Sequence, residues 1–311
     1  MKKPAIAVVG IGATGVVLAA ALLSKDPDVL LVDPQPGLAE SLRRDGLRVS
    51  GEISYQVPAK RVFPGIAGLK DHRPDVVFVA TKTFHLPRVL EALGEVFRPG
   101  MKIVSTHNGL GTEDVIADRF GADAAFRMSL NYGVALKGPG QVEVAFFNRP
   151  NHLGGLVPES REVGISLCDR LTAVGLDTAY VDDIKLFVWK KMIMKCTMAS
   201  ICAVTDKTIK EALTFPPTRK IADDCFKEVL AVAKAKGYDL GADYLEQALA
   251  YLEKVGIHKD SMCFDLANRS RTEIDFLGGK VVEYGRETGV PTPCYSVMTD
   301  LVKALEDKYL R

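Results

Sequence analysis

Residues 5–15 read Ala5-Ile6-Ala7-Val8-Val9-Gly10-Ile11-Gly12-Ala13-Thr14-Gly15, and an apolar run follows at 16–23. A short buried strand, a glycine turn spaced G-x-G-x-x-G and a helix are predicted in that order. Gly10 lets the chain turn tightly because it lacks a Cβ. Gly12 admits a pyrophosphate close to the backbone, and Gly15 lets the helix lie close on the strand. The helix then presents its free N–H groups to the phosphates. Such spacing is weak evidence alone, but here it sits between strand and helix, as the motif requires. The expected phosphate-binding residues are Gly10, Ile11, Gly12, Ala13, Thr14 and Gly15.

Working outward, residues 29–32 form a second apolar run that ends on Asp33, eighteen residues past Gly15. A carboxylate at this position grips the adenosine ribose hydroxyls and repels a 2′-phosphate, which favours NADH over NADPH. The bland reading is a loop aspartate before Pro34 with no ligand. Residues 74–80 and 102–106 are further apolar strands, and each is followed by a polar or glycine-rich turn (Thr81-Lys82, then His107-Asn108-Gly109-Leu110-Gly111). Strands alternating with helices predict an α/β N-terminal Rossmann-like domain with a right-handed parallel sheet. Ligands of such sheets sit beyond the carboxyl ends of the strands, where all of these turns fall.

Residues 47–59 alternate as a hairpin does. The stretch 126–181 holds strand-like pieces at 141–147 and 151–156 and a helix at 159–174, and it is expected to extend the sheet with antiparallel strands and to close the first domain. From residue 183 the periodicity is helical, with helices predicted at 183–204, 217–236, 242–255, 271–288 and 293–310. The expected division is a dinucleotide-binding domain at 1–181 and an all-α substrate and catalytic domain at 182–311.

The 311 residues include 40 basic and 39 acidic side chains, for a formal charge of +1. Nothing in that balance draws the protein to nucleic acid or to an anionic membrane, and no basic stripe with interleaved aromatics is present. No apolar run reaches the length of a membrane span, and the N-terminal residues are used by the first strand, so the expected location is the cytoplasm. The six cysteines lack C-x-x-C spacing and read as reduced, mostly buried side chains; the five histidines show no metal-ligand spacing, and no metal is expected.

The first helix of the second half carries Trp189-Lys190-Lys191 and then Lys195 among apolar residues. Lys191 and Lys195 are four apart and share a face. If that face meets the cofactor edge, burial and the like charge bring a lysine toward acid–base range. Otherwise the lysines form a solvated stripe whose stems cover the core. A second candidate is Ser261-Met262-x-x-Asp265, with Arg271-Thr272-Glu273-Ile274-Asp275 close behind. A helix cap with favourably placed acids explains much of it without a site.

Taken together and in order, these motifs resemble the ketopantoate reductase family (2-dehydropantoate 2-reductases and related 2-hydroxyacid dehydrogenases) over essentially the whole chain. The resemblance rests on Gly10-x-Gly12-x-x-Gly15, Thr81-Lys82, Asn108-Gly109-Leu110-Gly111, Trp189-x-Lys191, Ser261-Met262-x-x-Asp265 and Arg271–Asp275. It implies a C-terminal domain like that of 6-phosphogluconate dehydrogenase, and hydride transfer from NAD(P)H to a 2-oxo acid to give a D-2-hydroxy acid. By default this is ketopantoate to pantoate, in pantothenate and coenzyme A synthesis. By matching position, Lys191 is the general acid and Glu273 orients it. Asn108 lies between nicotinamide and substrate, Ser261 binds the substrate carboxylate or a hydroxyl, and Lys82 lines the cofactor side. The resemblance also implies domains that close over the substrate, and a monomer or homodimer.

Two departures stand out. Family members that reduce ketopantoate usually carry asparagines four and eight residues after the lysine, where this chain has Lys195 and Ala199. An amide donates and accepts, an ammonium only donates, and a methyl does neither. The expected alternatives are a different 2-oxo acid, with a second anionic group paired to Lys195, and ketopantoate itself, with Lys195 turned outward and a water in place of the missing amide. Asp33 is the other departure, since the family more often has a basic or neutral residue there and uses NADPH. The alternative from another class is a dinucleotide sensor without turnover, which has no need of Lys191 and Glu273.

Overall fold

The computed structural model describes residues 4–310. The chain divides into two compact units. One comprises the residues up to His107 together with Thr112–Ile184, and the other comprises Asn108–Gly111 together with the residues from Lys185 onward. The division falls at 184/185, and the short turn Asn108–Gly111 belongs to the helical unit.

The first unit runs β1 (Ile6–Val9), α1 (Ala13–Leu23), β2 (Leu30–Val32), α2 (Leu38–Asp45), β3 (Leu47–Gly51), β4 (Tyr55–Val57), β5 (Val62–Phe63), β6 (Val76–Val79), α3 (Leu86–Gly94), β7 (Lys102–Ser105), α4 (Thr112–Phe120), β8 (Ala125–Ser129), β9 (Tyr132–Gly138), β10 (Gln141–Phe147), β11 (Asn151–Gly155), α5 (Arg161–Ala173) and β12 (Thr178–Tyr180). Its main sheet has the order β12-β11-β8-β7-β6-β1-β2-β5. The strands from β8 to β5 are parallel, whereas β11 pairs antiparallel with β8. β1 lies inside this sheet with all four residues buried, which is why it reads as an unbroken apolar run.

Of residues 126–181, β8, β11 and β12 extend this sheet, but the expected antiparallel pairing holds for β11 on β8 alone; β8 joins β7 and β12 joins β11 in parallel. β9 and β10 join the hairpin β3–β4 in a separate four-stranded sheet ordered β4-β3-β10-β9. The reason lies in α1. Nine of its eleven residues are buried, and eight of these, Val16 to Leu23, share one core cluster with residues of both sheets. A helix apolar on every side has no solvent face and must be covered all round. The small sheet covers the side of α1 that the main sheet leaves open.

The second unit contains α6 (Ile184–Thr205, whose first residue belongs to the first unit), α7 (Ile209–Thr214), α8 (Pro216–Ala235), α9 (Tyr244–Val255), α10 (Ser261–Ala267), α11 (Gly278–Thr288) and α12 (Pro293–Glu306). The continuous helix predicted over 271–288 does not form. A single 3₁₀ turn occupies Ile274–Phe276, Leu277 leaves helical geometry at φ −109 and ψ −105, and α11 starts at Gly278. A tertiary anchor competes with the local period: the backbone N–H of Thr272 donates to Glu306 Oε1 on α12. Two short helices, α7 and α10, lie where the apolar period is too brief to be read. Each is marked by its N-cap, Thr208 in a capping box with Glu211 and Asp260 donating no proton but accepting from Met262 N. Among the described residues no helix is long and apolar enough to cross a membrane. All six cysteines are unpaired thiols.

Candidate active site

In the first unit the glycine turn has the sterics its spacing predicts. Gly10 sits at φ +91, and a Cβ there would lie 2.7 Å from the Thr81 backbone nitrogen; its N–H donates to Val32 O at 2.8 Å. A Cβ on Gly15 would meet Gly10 O at 1.9 Å, so helix and turn touch backbone to backbone. Gly12 differs: it is exposed, and a Cβ there would have no atom within 4 Å. That open approach at the N-cap of α1 is what a pyrophosphate needs.

Asp33 stands at the end of β2 and binds the turn directly. Its Oδ2 accepts from Ile11 N at 2.7 Å, and its Oδ1 accepts from Gln35 N at 2.9 Å. A carboxylate has about four lone-pair sites, so both oxygens keep capacity for ribose hydroxyls. The open Gly12 and the fixed carboxylate together fit a dinucleotide. Half-buried Lys82 follows β6 and precedes a 3₁₀ turn at Thr83–His85.

Beneath the same strand ends lies a buried polar network that the sequence reading does not anticipate. The Arg127 guanidinium, 1% exposed, donates to Ser105 Oγ at 2.8 Å, to Thr112 Oγ1 and to the His107 carbonyl at 2.5 Å. Buried Glu113 lies 3.8 Å away as its counter-charge. His107 Nδ1 is 2.9 Å from Ser105 Oγ, and its Nε2 is 3.3 Å from Thr81 Oγ1. Burial, helped by the Arg127 charge, pushes the His107 pKa down to about 3, so its ring is neutral at physiological pH.

In the second unit the turn Asn108–Gly111 is fixed by backbone and side chain. Leu110 N donates to Phe276 O at 2.9 Å, and Phe276 N donates to Glu273 O at 3.0 Å, which brings the Asn108 and Glu273 segments together. Gly111 adopts φ +73, and a Cβ there would lie 2.6 Å from the Tyr284 hydroxyl. Tyr284 also packs its ring 6.0 Å from that of Trp189, one residue before Lys190 on α6. On the same helix, Lys191 Nζ donates to Asn108 Oδ1 at 2.8 Å.

One turn further along α6, Lys195 Nζ donates to Asp260 Oδ1 at 2.7 Å, to Asp260 Oδ2 at 2.6 Å and to Ser261 Oγ at 2.8 Å. Lys195 is thus not an uncompensated like charge acting on Lys191, because Asp260 offsets it. Ala199 is fully buried. Glu273 is half-buried just before the 3₁₀ turn Ile274–Phe276.

The named residues therefore fall into two sets: the glycine turn, Asp33 and Lys82 in the first unit, and Asn108, Lys191, Lys195, Ser261 and Glu273 in the second. Asp260 and Arg127 carry no local signal of their partners. The N-cap position before Ser261 marks Asp260 as a cap, but nothing local links it to a lysine 65 residues away. Arg127 gives no signal in a strand that otherwise reads as apolar.

Two family models match the chain: ketopantoate reductase PanE/ApbA over residues 6–156, and ketopantoate reductase PanE/ApbA C terminal over residues 183–306. A 2-dehydropantoate 2-reductase of Streptococcus pyogenes serotype M1 is 28% identical over 301 residues, which cover 96% of this chain and 97% of the relative. One of Pyrococcus abyssi is 25% identical, with 97% of each chain covered. Among solved structures, a ternary complex of D-mandelate dehydrogenase with NADH and anilino(oxo)acetate superposes with a TM-score of 0.88 at 25% identity, covering 98% of each chain. The 2-dehydropantoate 2-reductase of Geobacter metallireducens GS-15 also gives 0.88, at 24% identity, with 96% of this chain and 99% of that one covered.

Proposed function

Because the chain belongs to the ketopantoate reductase family, we propose that it reduces a 2-oxo acid to the D-2-hydroxy acid with NAD(P)H. The observation that carries this reading is the 2.8 Å hydrogen bond from Lys191 Nζ to Asn108 Oδ1. The amide fixes the direction of the ammonium, and one ammonium hydrogen is the proton for the ketone oxygen. Bound reduced nicotinamide supplies the hydride for the ketone carbon. Lys191 gives its proton as negative charge develops on the oxygen, which leaves a neutral amine and the hydroxy acid. Glu273 orients Lys191 and the nascent hydroxyl. Ser261 donates to the substrate carboxylate.

Gly10 to Gly15 and Asp33 are the residues that would hold the dinucleotide, with Lys82 beside it. The Asp33 carboxylate favours the unphosphorylated ribose, so NADH is the proposed coenzyme. Ketopantoate is the first substrate to assay, supported by the 2-dehydropantoate 2-reductases among the relatives. A second reading, a D-2-hydroxyacid dehydrogenase for another 2-oxo acid, is favoured by Lys195 and buried Ala199 at the positions of the family's asparagines. The likeness to a D-mandelate dehydrogenase supports it as well. Turnover of ketopantoate, branched and aryl 2-oxo acids with NADH and with NADPH, followed by chiral analysis of the product, separates these readings. Absence of turnover on every 2-oxo acid would reject both.

A further inference from the structure

Lys195 stands where the departure from the family's asparagines predicts a second substrate anion, yet its three ammonium hydrogens already have acceptors. Two go to the two oxygens of Asp260 and one to Ser261 Oγ. The pair is sheltered, with side-chain exposures of 17% for Lys195 and 7% for Asp260. Asp260 is itself fixed, because its Oδ1 accepts from Met262 N at 2.9 Å as the N-cap of α10. Ser261 is exposed. Its oxygen accepts from the ammonium, and its own proton has only a long 3.5 Å approach to Asp260 Oδ1. So long a bond is easily exchanged for a substrate acceptor, and the cation behind the oxygen strengthens the hydroxyl as a donor.

We infer that Lys195 and Asp260 form a positioning pair that fixes Ser261 as a hydrogen-bond donor while cancelling the ammonium charge, so that the site accepts 2-oxo monoacids and discriminates against 2-oxo diacids. This rests on the reading of the protein as a 2-oxo acid reductase in which Ser261 meets the substrate. A single carboxylate finds a donor in Ser261. A second carboxylate finds no net positive charge at Lys195, and it approaches the Asp260 carboxylate at the same time.

The test uses the full-length protein with NADH and compares 2-oxoisovalerate with 2-oxoglutarate. The wild type is expected to prefer the monoacid by at least about tenfold in kcat/KM, the scale of one charge-assisted contact. Asp260→Asn keeps a good N-cap but uncovers the ammonium, and it is expected to move the ratio toward the diacid by about tenfold or more. Lys195→Met is expected to raise KM for the monoacid by about tenfold while kcat changes far less, and Lys195→Arg to restore part of the loss. Thermal melts confirm that each variant is folded, and the wild-type ratio needs no variant at all. Preference of the wild type for the diacid overturns the proposal, as does a ratio that Asp260→Asn leaves unmoved. A wild type that reduces no 2-oxo acid removes the underlying reading and this proposal together, whereas an active enzyme with an unmoved ratio removes this proposal alone.

Discussion

Lys191 on α6 donates a 2.8 Å hydrogen bond to Asn108, 83 positions earlier in the chain. The bond sets the direction of the ammonium before any substrate arrives. Such preorganisation lowers the reorganisation needed when charge develops on an oxygen. If Lys191 is the proton donor, Lys191→Ala is expected to lower kcat by about 10² to 10⁴-fold. Asn108→Ala keeps the donor but loses its alignment, and a smaller fall, about tenfold to a hundredfold, is expected. Steady-state kinetics at saturating coenzyme measures both; equal losses would mean that Asn108 has a role of its own.

Two of the motif glycines, Gly15 and Gly12, should respond differently to the same added methyl. Gly15→Ala forces a Cβ against Gly10 O, a backbone atom that cannot step aside, so a marked fall in melting temperature is expected. Gly12→Ala meets open space at a negative φ and should leave stability within about 0.5 kcal/mol of the wild type. It nonetheless fills the approach to the backbone, and NADH affinity is expected to drop by about tenfold or more. Parallel melting curves and coenzyme titrations decide the matter. A stable Gly12→Ala variant with unchanged affinity would remove the phosphate from this turn.

Asp33 is tied to Ile11 N and to Gln35 N. Asp33→Asn removes the charge that repels a 2′-phosphate and replaces one acceptor by a donor. The ratio of kcat/KM for NADH to that for NADPH is expected to fall by about tenfold or more. A wild type that prefers NADPH would contradict the proposed role of the carboxylate.

His107 is buried and neutral, with its pKa pushed down to about 3 from an ordinary value of 6.5. Above about pH 6.5 neither folded nor unfolded chain protonates this ring, and its contribution to stability is complete. As pH falls from there toward 3 the unfolded chain takes up a proton that the folded one refuses, so stability is lost across that window. The slope approaches about 1.4 kcal/mol per pH unit from this group. Denaturant titrations of wild type and His107→Gln between pH 7 and pH 4 are expected to differ in slope with that sign.

Arg127 and Glu113 are both buried, 3.8 Å apart. Removing the guanidinium by Arg127→Ala leaves a buried carboxylate without its counter-charge and three acceptors without their donor. A loss of about 3–5 kcal/mol is expected. Arg127→Met together with Glu113→Gln should lose less, because no charge is stranded. Chemical denaturation measures both variants.

What the sequence determined unaided is the set of features whose causes are local. The glycine spacing, the apolar β1 and the run of α1 follow from the steric needs of one turn and from side-chain burial within a few residues. Asp33 at the end of β2 and the paired lysines on α6 are legible for the same reason: position along a strand or helix dictates which side chains share an edge or face. Tertiary structure decided the rest. It broke the expected 271–288 helix at Leu277, drew β9 and β10 onto α1 rather than the main sheet, and gave Lys195 a partner 65 residues away. In each case the deciding free energy comes from contacts between segments distant in the chain. A periodic pattern records that a face must be covered or a charge paired, but not by which residue.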